Sequence, residues 1–304
     1  MTNPILKIMA RKYRKAWSKN DLNRDKSFTI PQNIQVIKDI SYGPKKKWNL
    51  LDVNLPKNAD KLLPCIVSFH GGGFFYGTKE TYQFYAADLA SRNFAVINFN
   101  YRLSPENQFP NHLEDCNLVL TWLKENAEKY NIDLDKLYFV GDSAGAHLAY
   151  FYSTILTNPA YARLYNFKIP SIRPKAIGLN CGLYRIDTQK NPVLARAYFG
   201  SVKKSNQKED EILNYITKDF PPSFITSAPN DFLLDQAKSF ADFLASKEIV
   251  TILKIYGNKD DLQACHVFHL NQKLDIAKMC NDDECAFFKS FHSSSYKRKI
   301  LFML

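Results

Sequence analysis

Gly141-Asp142-Ser143-Ala144-Gly145 sets one serine between two glycines, each two positions away. It follows the apolar run Leu137-Tyr138-Phe139-Val140 and leads into the helical stretch Ala146-His147-Leu148-Ala149-Tyr150. A G-x-S-x-G segment at a strand-to-helix bend lifts a hydroxyl clear of a sheet, on a backbone too tight for bulky neighbours. The bend also leaves Ser143 at a helix N-terminus, where orphan N–H groups favour negative charge. That is the setting for a nucleophile attacking an acyl carbonyl. The tetrahedral intermediate of such an attack carries a negative oxygen that must be held. His70-Gly71-Gly72-Gly73, directly after the apolar run Cys65–Phe69, offers backbone donors to hold it. The N–H groups of Gly72, Gly73 and Ala144 are the expected oxyanion donors, each worth about 3 kcal/mol in the transition state. Six of the eleven glycines (71, 72, 73, 77, 141 and 145) fall in these two segments, which argues against ordinary loops.

A serine needs a base to take its proton, and the base needs a third group to orient it. In folds with this serine turn the chain order is serine, acid, histidine. Asp231 follows the apolar run Phe224–Ala228, at the carboxyl end of an expected strand, where open α/β sheets place their sites. Asp235 is the next acid, better suited to the following helix start, and Asp260 and Asp261 rank third. After Val250–Tyr256 comes Cys265-His266-Val267-Phe268-His269, so two histidines, His266 and His269, could serve as the base. The remaining histidines have structural readings. His70 braces its glycine loop, His147 packs within the nucleophile helix, His112 begins a helix, and His292 lies in a polar tail. Phe74, Phe75 and Tyr76 follow the glycine loop and either wall a substrate pocket or anchor a cap.

These residues must be held by a scaffold. Cys65–Phe69, Phe94–Phe99, Leu137–Val140, Ala176–Leu179, Phe224–Ala228 and Val250–Tyr256 are short continuous apolar runs, the mark of strands covered on both faces. Helical stretches alternate with them at 80–92, 111–129, 144–157 and 235–247. Such alternation implies parallel pairing through right-handed crossovers, hence a doubly wound α/β sheet. A hairpin of Asn33–Tyr42 and Trp48–Leu55 opens it. Residues 183–220 break the rhythm, with helical pieces at 192–199 and 207–217, and an excursion of that length suits a lid or cap. Residues 4–18 carry an apolar stripe of Ile5, Leu6, Met9, Tyr13, Ala16 and Trp17 among many cations. The stripe packs on the protein's own body, as most such stripes do, or else lies on a membrane surface together with the basic tail Tyr296–Leu304.

The chain has 304 residues, 45% of them hydrophobic, which suits one large domain with an insertion and excludes disorder. Lys and Arg number 41 against 30 acids, but they are scattered, and no nucleic-acid module accompanies them. No run is long enough to span a membrane and no secretory leader opens the chain. Six cysteines without paired or zinc-like spacing read as buried free thiols in a reducing, cytoplasmic setting, with no metal.

Taken in order, His70-Gly71-Gly72-Gly73, Tyr101-Arg102-Leu103-Ser104-Pro105-Glu106, Phe109-Pro110, Gly141-Asp142-Ser143-Ala144-Gly145, Pro221-Pro222, Asp231-x-Leu233-x-Asp235 and His266-x-Phe268 resemble the hormone-sensitive lipase family of α/β-hydrolases. The likeness runs from about residue 62 to 270. It implies a carboxylesterase or lipase without cofactor or metal, hydrolysing esters of short to medium acyl chains with a Ser143–Asp231–His266 triad. It also implies a catalytic core of 31–182 and 221–304, under a cap made from 1–30 and 183–220. Three departures stand out. Phe74 replaces a frequent tryptophan, Phe232 a proline, and Val267 the glycine after the catalytic histidine, which keeps His269 as fallback. Rival readings are an amidase or deacetylase on the same triad, and a non-catalytic ligand-binding homologue. The partner expected is a small ester; a homodimer is left open.

Overall fold

The structure is a computed structural model that describes residues 4–292. In chain order its main elements are α1 (Pro4–Asp25), β1 (Ile34–Ser41), β2 (Leu50–Pro56), β3 (Leu63–Phe69), α2 (Gln83–Ala90), β4 (Ala95–Phe99), α3 (Asn111–Asn126), β5 (Ile132–Asp142), α4 (Ala144–Thr157) and α5 (Pro159–Ala162). There follow β6 (Ala176–Asn180), α6 (Pro192–Phe199), α7 (Val202–Tyr215), β7 (Ser223–Ser227), α8 (Leu234–Ser246), β8 (Thr251–Ile255) and α9 (Asp275–Ser290).

Among the described residues these strands form one sheet of eight, ordered β1-β2-β4-β3-β5-β6-β7-β8. β1–β2 and β2–β4 pair antiparallel, and every later pair is parallel. This is the α/β-hydrolase arrangement. The continuous apolar runs have the predicted cause. In β3, Cys65, Val67 and Phe69 face the layer of α3, α4 and α8, while Ile66 faces the layer of α2 and α9. A strand alternates faces residue by residue, so burial on both sides demands apolar residues throughout.

Register explains how distant loops converge. Phe69 pairs with Gly141, Asp142 with Asn180, Asn180 with Thr226 and Ser227 with Ile255. The parallel strands therefore end at one level, and the loops leaving β3, β5, β7 and β8 emerge along a single edge.

Several elements differ from the sequence expectation, among them β5, which starts at Ile132 instead of 137, and three helices. α1 runs on to Asp25 instead of stopping near 18. α7 begins at 202 instead of 207, because Gly200 ends α6 in the left-handed region (φ 88°) and the Ser201 side chain accepts from the N–H of Lys204. α9 was not anticipated. Its buried Ala277, Cys280, Glu284, Phe287 and Phe288 keep helical spacing, but the polar run Asn281–Glu284 interrupts the apolar signal. His292, expected in a polar tail, packs its ring 6.3 Å from Phe94. The basic tail Tyr296–Leu304 lies outside the described residues.

Candidate active site

The turn between β5 and α4 holds Ser143 at φ 49° and ψ −118°, a conformation L-residues avoid. Its backbone is clamped to hold it there. The Ser143 N–H donates to Asn180 O (3.1 Å), and Ser143 O accepts from His147 (3.2 Å) and Leu183 (3.0 Å). The flanking glycines are needed for approach. A Cβ on Gly145 would lie 2.0 Å from Phe69 O.

The Ser143 hydroxyl lies 3.1 Å from His266 Nε2, and His266 Nδ1 lies 2.8 Å from Asp231 Oδ1. A carboxylate only accepts, so Nδ1 carries the ring proton and Nε2 is left free to accept from the serine. A parallel bridge between Asn230 and Cys265 ties the two loops and sets Asp231 beside His266. Asp231 also accepts from Ser227 Oγ (2.7 Å) and from the Leu233 N–H (2.9 Å). Burial pushes its carboxyl up, yet His266 and these two donors outweigh burial and hold it below the usual carboxylate range.

His269 does not reach Ser143. It is fully buried, edge-on to Tyr85 at 5.3 Å, and burial pushes its pKa down to about 3. The fallback base is thereby removed. Asp235 sits inside the first turn of α8 and does not cap it; Leu233 is at the cap position. Asp260 and Asp261 shape an exposed turn around Asn258. The remaining histidines are structural, as expected. His70 Nδ1–H donates to Gly71 O (2.8 Å) while its ring stacks on Tyr101. His147 stacks on Phe151, and His112 lies 3.3 Å from Ser104 Oγ.

Gly72 and Gly73 line the cavity with Ser143. Gly72 has φ 112°, and a Cβ there would lie 2.3 Å from Tyr76 O, so no other residue fits this turn. The Gly71 N–H is already engaged by Tyr82 Oη (2.9 Å) and Asp142 Oδ1 (3.2 Å). Ala144 opens α4 beside the serine.

The three aromatics divide. Phe74 does not wall the cavity. With φ 65° it turns inward, is wholly buried and stacks on Tyr198 of α6 at 3.7 Å. Phe75 and Tyr76 do line the cavity, and they also receive α1: Trp17 lies 5.0 Å from Phe75, and the Tyr76 hydroxyl donates to Asp21 (2.6 Å). Arg14 completes this attachment. It donates to Phe75 O (2.6 Å), Ser104 O (2.8 Å) and Glu106 (2.8 and 3.0 Å). Leu6, Met9, Tyr13 and Trp17 of the α1 stripe thus lie over the cavity, while Ile5 and Ala16 are exposed.

Several contributors had no sequence signal. Tyr82 donates to Asp142 Oδ2 (2.7 Å) and so ties the serine turn to the glycine loop. Cys181 is buried against Asp231, and with His266 the three present potential metal ligands within 4.8 Å of one another. They come from three distant segments, so spacing could not group them. Phe232, 77% exposed, sets its ring 4.3 Å from that of His266. Val267 adopts φ 55°, which accounts for the glycine usual at this place.

Residues 51–244 match the BD-FAE family. A putative alpha/beta hydrolase of Acanthamoeba polyphaga mimivirus is 24% identical over 266 residues, covering 82% of this chain and 72% of that protein. An acetyl esterase of Salmonella paratyphi A is 28% identical over 238 residues, covering 72% and 70%. Among solved structures, esterase B of Lactobacillus rhamnosis superposes with a TM-score of 0.84 at 19% identity, over 98% of each chain. A thermophilic carboxylesterase cloned from a metagenomic library gives 0.75 at 19% identity, over 93% of this chain and 98% of that one. The chain belongs to the BD-FAE family, and its fold is that of the α/β-hydrolases.

Proposed function

We propose that this α/β-hydrolase is a carboxylic ester hydrolase that works through an acyl-enzyme on Ser143. The reading rests above all on the continuous hydrogen-bond path from Ser143 Oγ through His266 to Asp231. Ser143 attacks the ester carbonyl carbon as its proton passes to His266 Nε2. The tetrahedral oxyanion is received by the N–H groups of Gly72, Gly73 and Ala144. Asp231 keeps the tautomer and stabilises the imidazolium. His266 then protonates the departing alcohol, and water repeats the sequence on the acyl-enzyme, returning free Ser143 and a carboxylic acid.

The cavity around Ser143 measures about 1040 Å³, with apolar lining from Leu6, Met9, Trp17, Phe75, Val193 and Leu194. That suits esters of short to medium acyl chains, with polar and charged side chains such as Asp21, Arg24, Arg185 and Gln236 also in the lining. The cap is assigned to residues 1–30 and 183–220, since α1 and the 183–197 stretch both line this cavity.

Ser143→Ala tests the reading. The variant should lose turnover of p-nitrophenyl esters by about 10⁴-fold or more, and lose labelling by a fluorophosphonate, at unchanged thermal stability. Persisting turnover would falsify the assignment. Comparing the wild-type rates on an ester and its anilide separates esterase from amidase action, and a wild type that binds ester without turnover would support the non-catalytic homologue instead.

A further inference from the structure

α1 has two faces. The inner one lies over the cavity; the outer one is a straight stripe of Ile8, Lys12, Lys15, Lys19 and Leu22, at alternating steps of four and three residues, all exposed. Ile8 and Leu22 are 55% and 70% exposed, so a large apolar side chain stands at each end of three lysines. Arg11 is exposed on the same side.

The charge on this face is not neutralised. The acids of α1 are Asp21 and Asp25, and both are engaged at the body: Asp21 by Tyr76 and Arg24, Asp25 by Arg24. Arg14 is engaged with Glu106. Among the described residues Arg11, Lys12, Lys15 and Lys19 enter no ion pair. A second observation lies on the cavity lining beneath the helix. Val193 and Phe232 line the cavity and remain 41% and 77% exposed.

We propose that the outer face of α1 docks on an anionic lipid surface. Three cations bracketed by apolar residues match a headgroup layer, with the lysines reaching phosphates and Ile8 and Leu22 entering the acyl boundary. A nucleic acid or an acidic protein would match the lysines but leave Ile8 and Leu22 unaccounted for. The surface contact is separate from the chemistry at Ser143, so the two are tested by different readouts.

The full chain is sedimented with phosphatidylcholine vesicles and with vesicles containing phosphatidylserine, at low and high salt. The wild type is expected to pellet with the anionic vesicles only, and to be released by salt. Lys12→Glu/Lys15→Glu/Lys19→Glu should weaken that partition by about 100-fold or more, since each lysine near such a surface contributes about a fivefold factor. Its turnover of a water-soluble ester should stay at the wild-type rate, because these side chains point away from the cavity. Ile8→Ser/Leu22→Ser should weaken binding to the anionic vesicles at low salt and lower the salt concentration at which the protein is released. Failure of the wild type to bind anionic vesicles overturns the proposal, as does equal binding by the triple variant. Capture of an oligonucleotide or an acidic protein without vesicle binding overturns it too. Loss of ester turnover in Ser143→Ala with vesicle binding intact leaves the docking standing on its own.

Discussion

Asp142→Asn probes the link between the serine turn and the glycine loop. The Asp142 carboxyl is fully buried, and burial pushes its pKa up to about 7, although the Tyr82 hydroxyl, His266 and the Gly71 N–H all pull it down. In the unfolded chain the same group titrates near about 3.9. A group whose folded pKa lies above its unfolded value holds its proton more tightly in the native state. Its stabilising contribution is therefore complete below about pH 4 and is lost as pH rises to about 7. Three units at about 1.4 kcal/mol each put the loss at up to about 4 kcal/mol. Asparagine has the same shape, does not titrate, and mimics the neutral acid: its carbonyl accepts from Gly71 and its amide faces Tyr82. The stability of Asp142→Asn relative to wild type should thus climb by several kcal/mol between about pH 4 and pH 7, then level off. Urea unfolding of both proteins across this range measures it. Glu209, pushed up to about 8 by burial, is present in both proteins and largely cancels in the difference, as does Asp231, whereas Glu284, also pushed up to about 8 by burial, feels the Asp142 charge and adds a smaller contribution of its own near that pH. A difference that stays flat with pH would show that the carboxyl is ionised throughout and that its burial is offset by its partners.

Three further variants probe the rest of the site. His266→Asn should lower kcat by about 10⁴-fold, whereas His269→Asn should retain kcat per folded molecule, because its ring packs on Tyr85 and touches no reacting group; loss of kcat in the second variant would reopen the assignment of the base. Gly145→Ala should destabilise by at least about 3 kcal/mol, read as a drop in Tm with loss of turnover, since its Cβ meets Phe69 O at 2.0 Å. Arg14→Met removes the ties from α1 to Phe75 O, Ser104 O and Glu106, worth about 1–2 kcal/mol together. It should raise KM severalfold with little change in kcat, and speed protease cleavage within α1; an unchanged KM would mean that α1 does not shape the substrate site.

Much of the scaffold was legible in the sequence because it rests on local rules. Continuous apolar runs mark doubly covered strands, as in β3 and β6, and Gly141 and Gly145 around Ser143 mark a bend that sterics alone enforce. That Asp231 and a histidine loop follow the serine at the same sheet edge was legible from the strand ends, which register then delivers. Other features depend on which segments meet. The choice between His266 and His269 could not be made from a loop holding both; the parallel bridge of Asn230 to Cys265 turns one ring toward Asp231 and leaves the other against Tyr85. Phe74, Phe75 and Tyr76 look alike in sequence, yet a positive φ at Phe74 sends that ring inward to Tyr198 and the other two toward the cavity. Tyr82 and Cys181 carry no local signature, because their roles arise only from contact with Asp142 and Asp231. Local sterics and hydrophobic period act through neighbours along the chain, and so the residues alone determined the serine turn, the glycine loop and the layered sheet. Burial, tautomer and the direction of a side chain act through neighbours in space, and for the base, the cavity walls and the titration of Asp142 only the folded packing could decide.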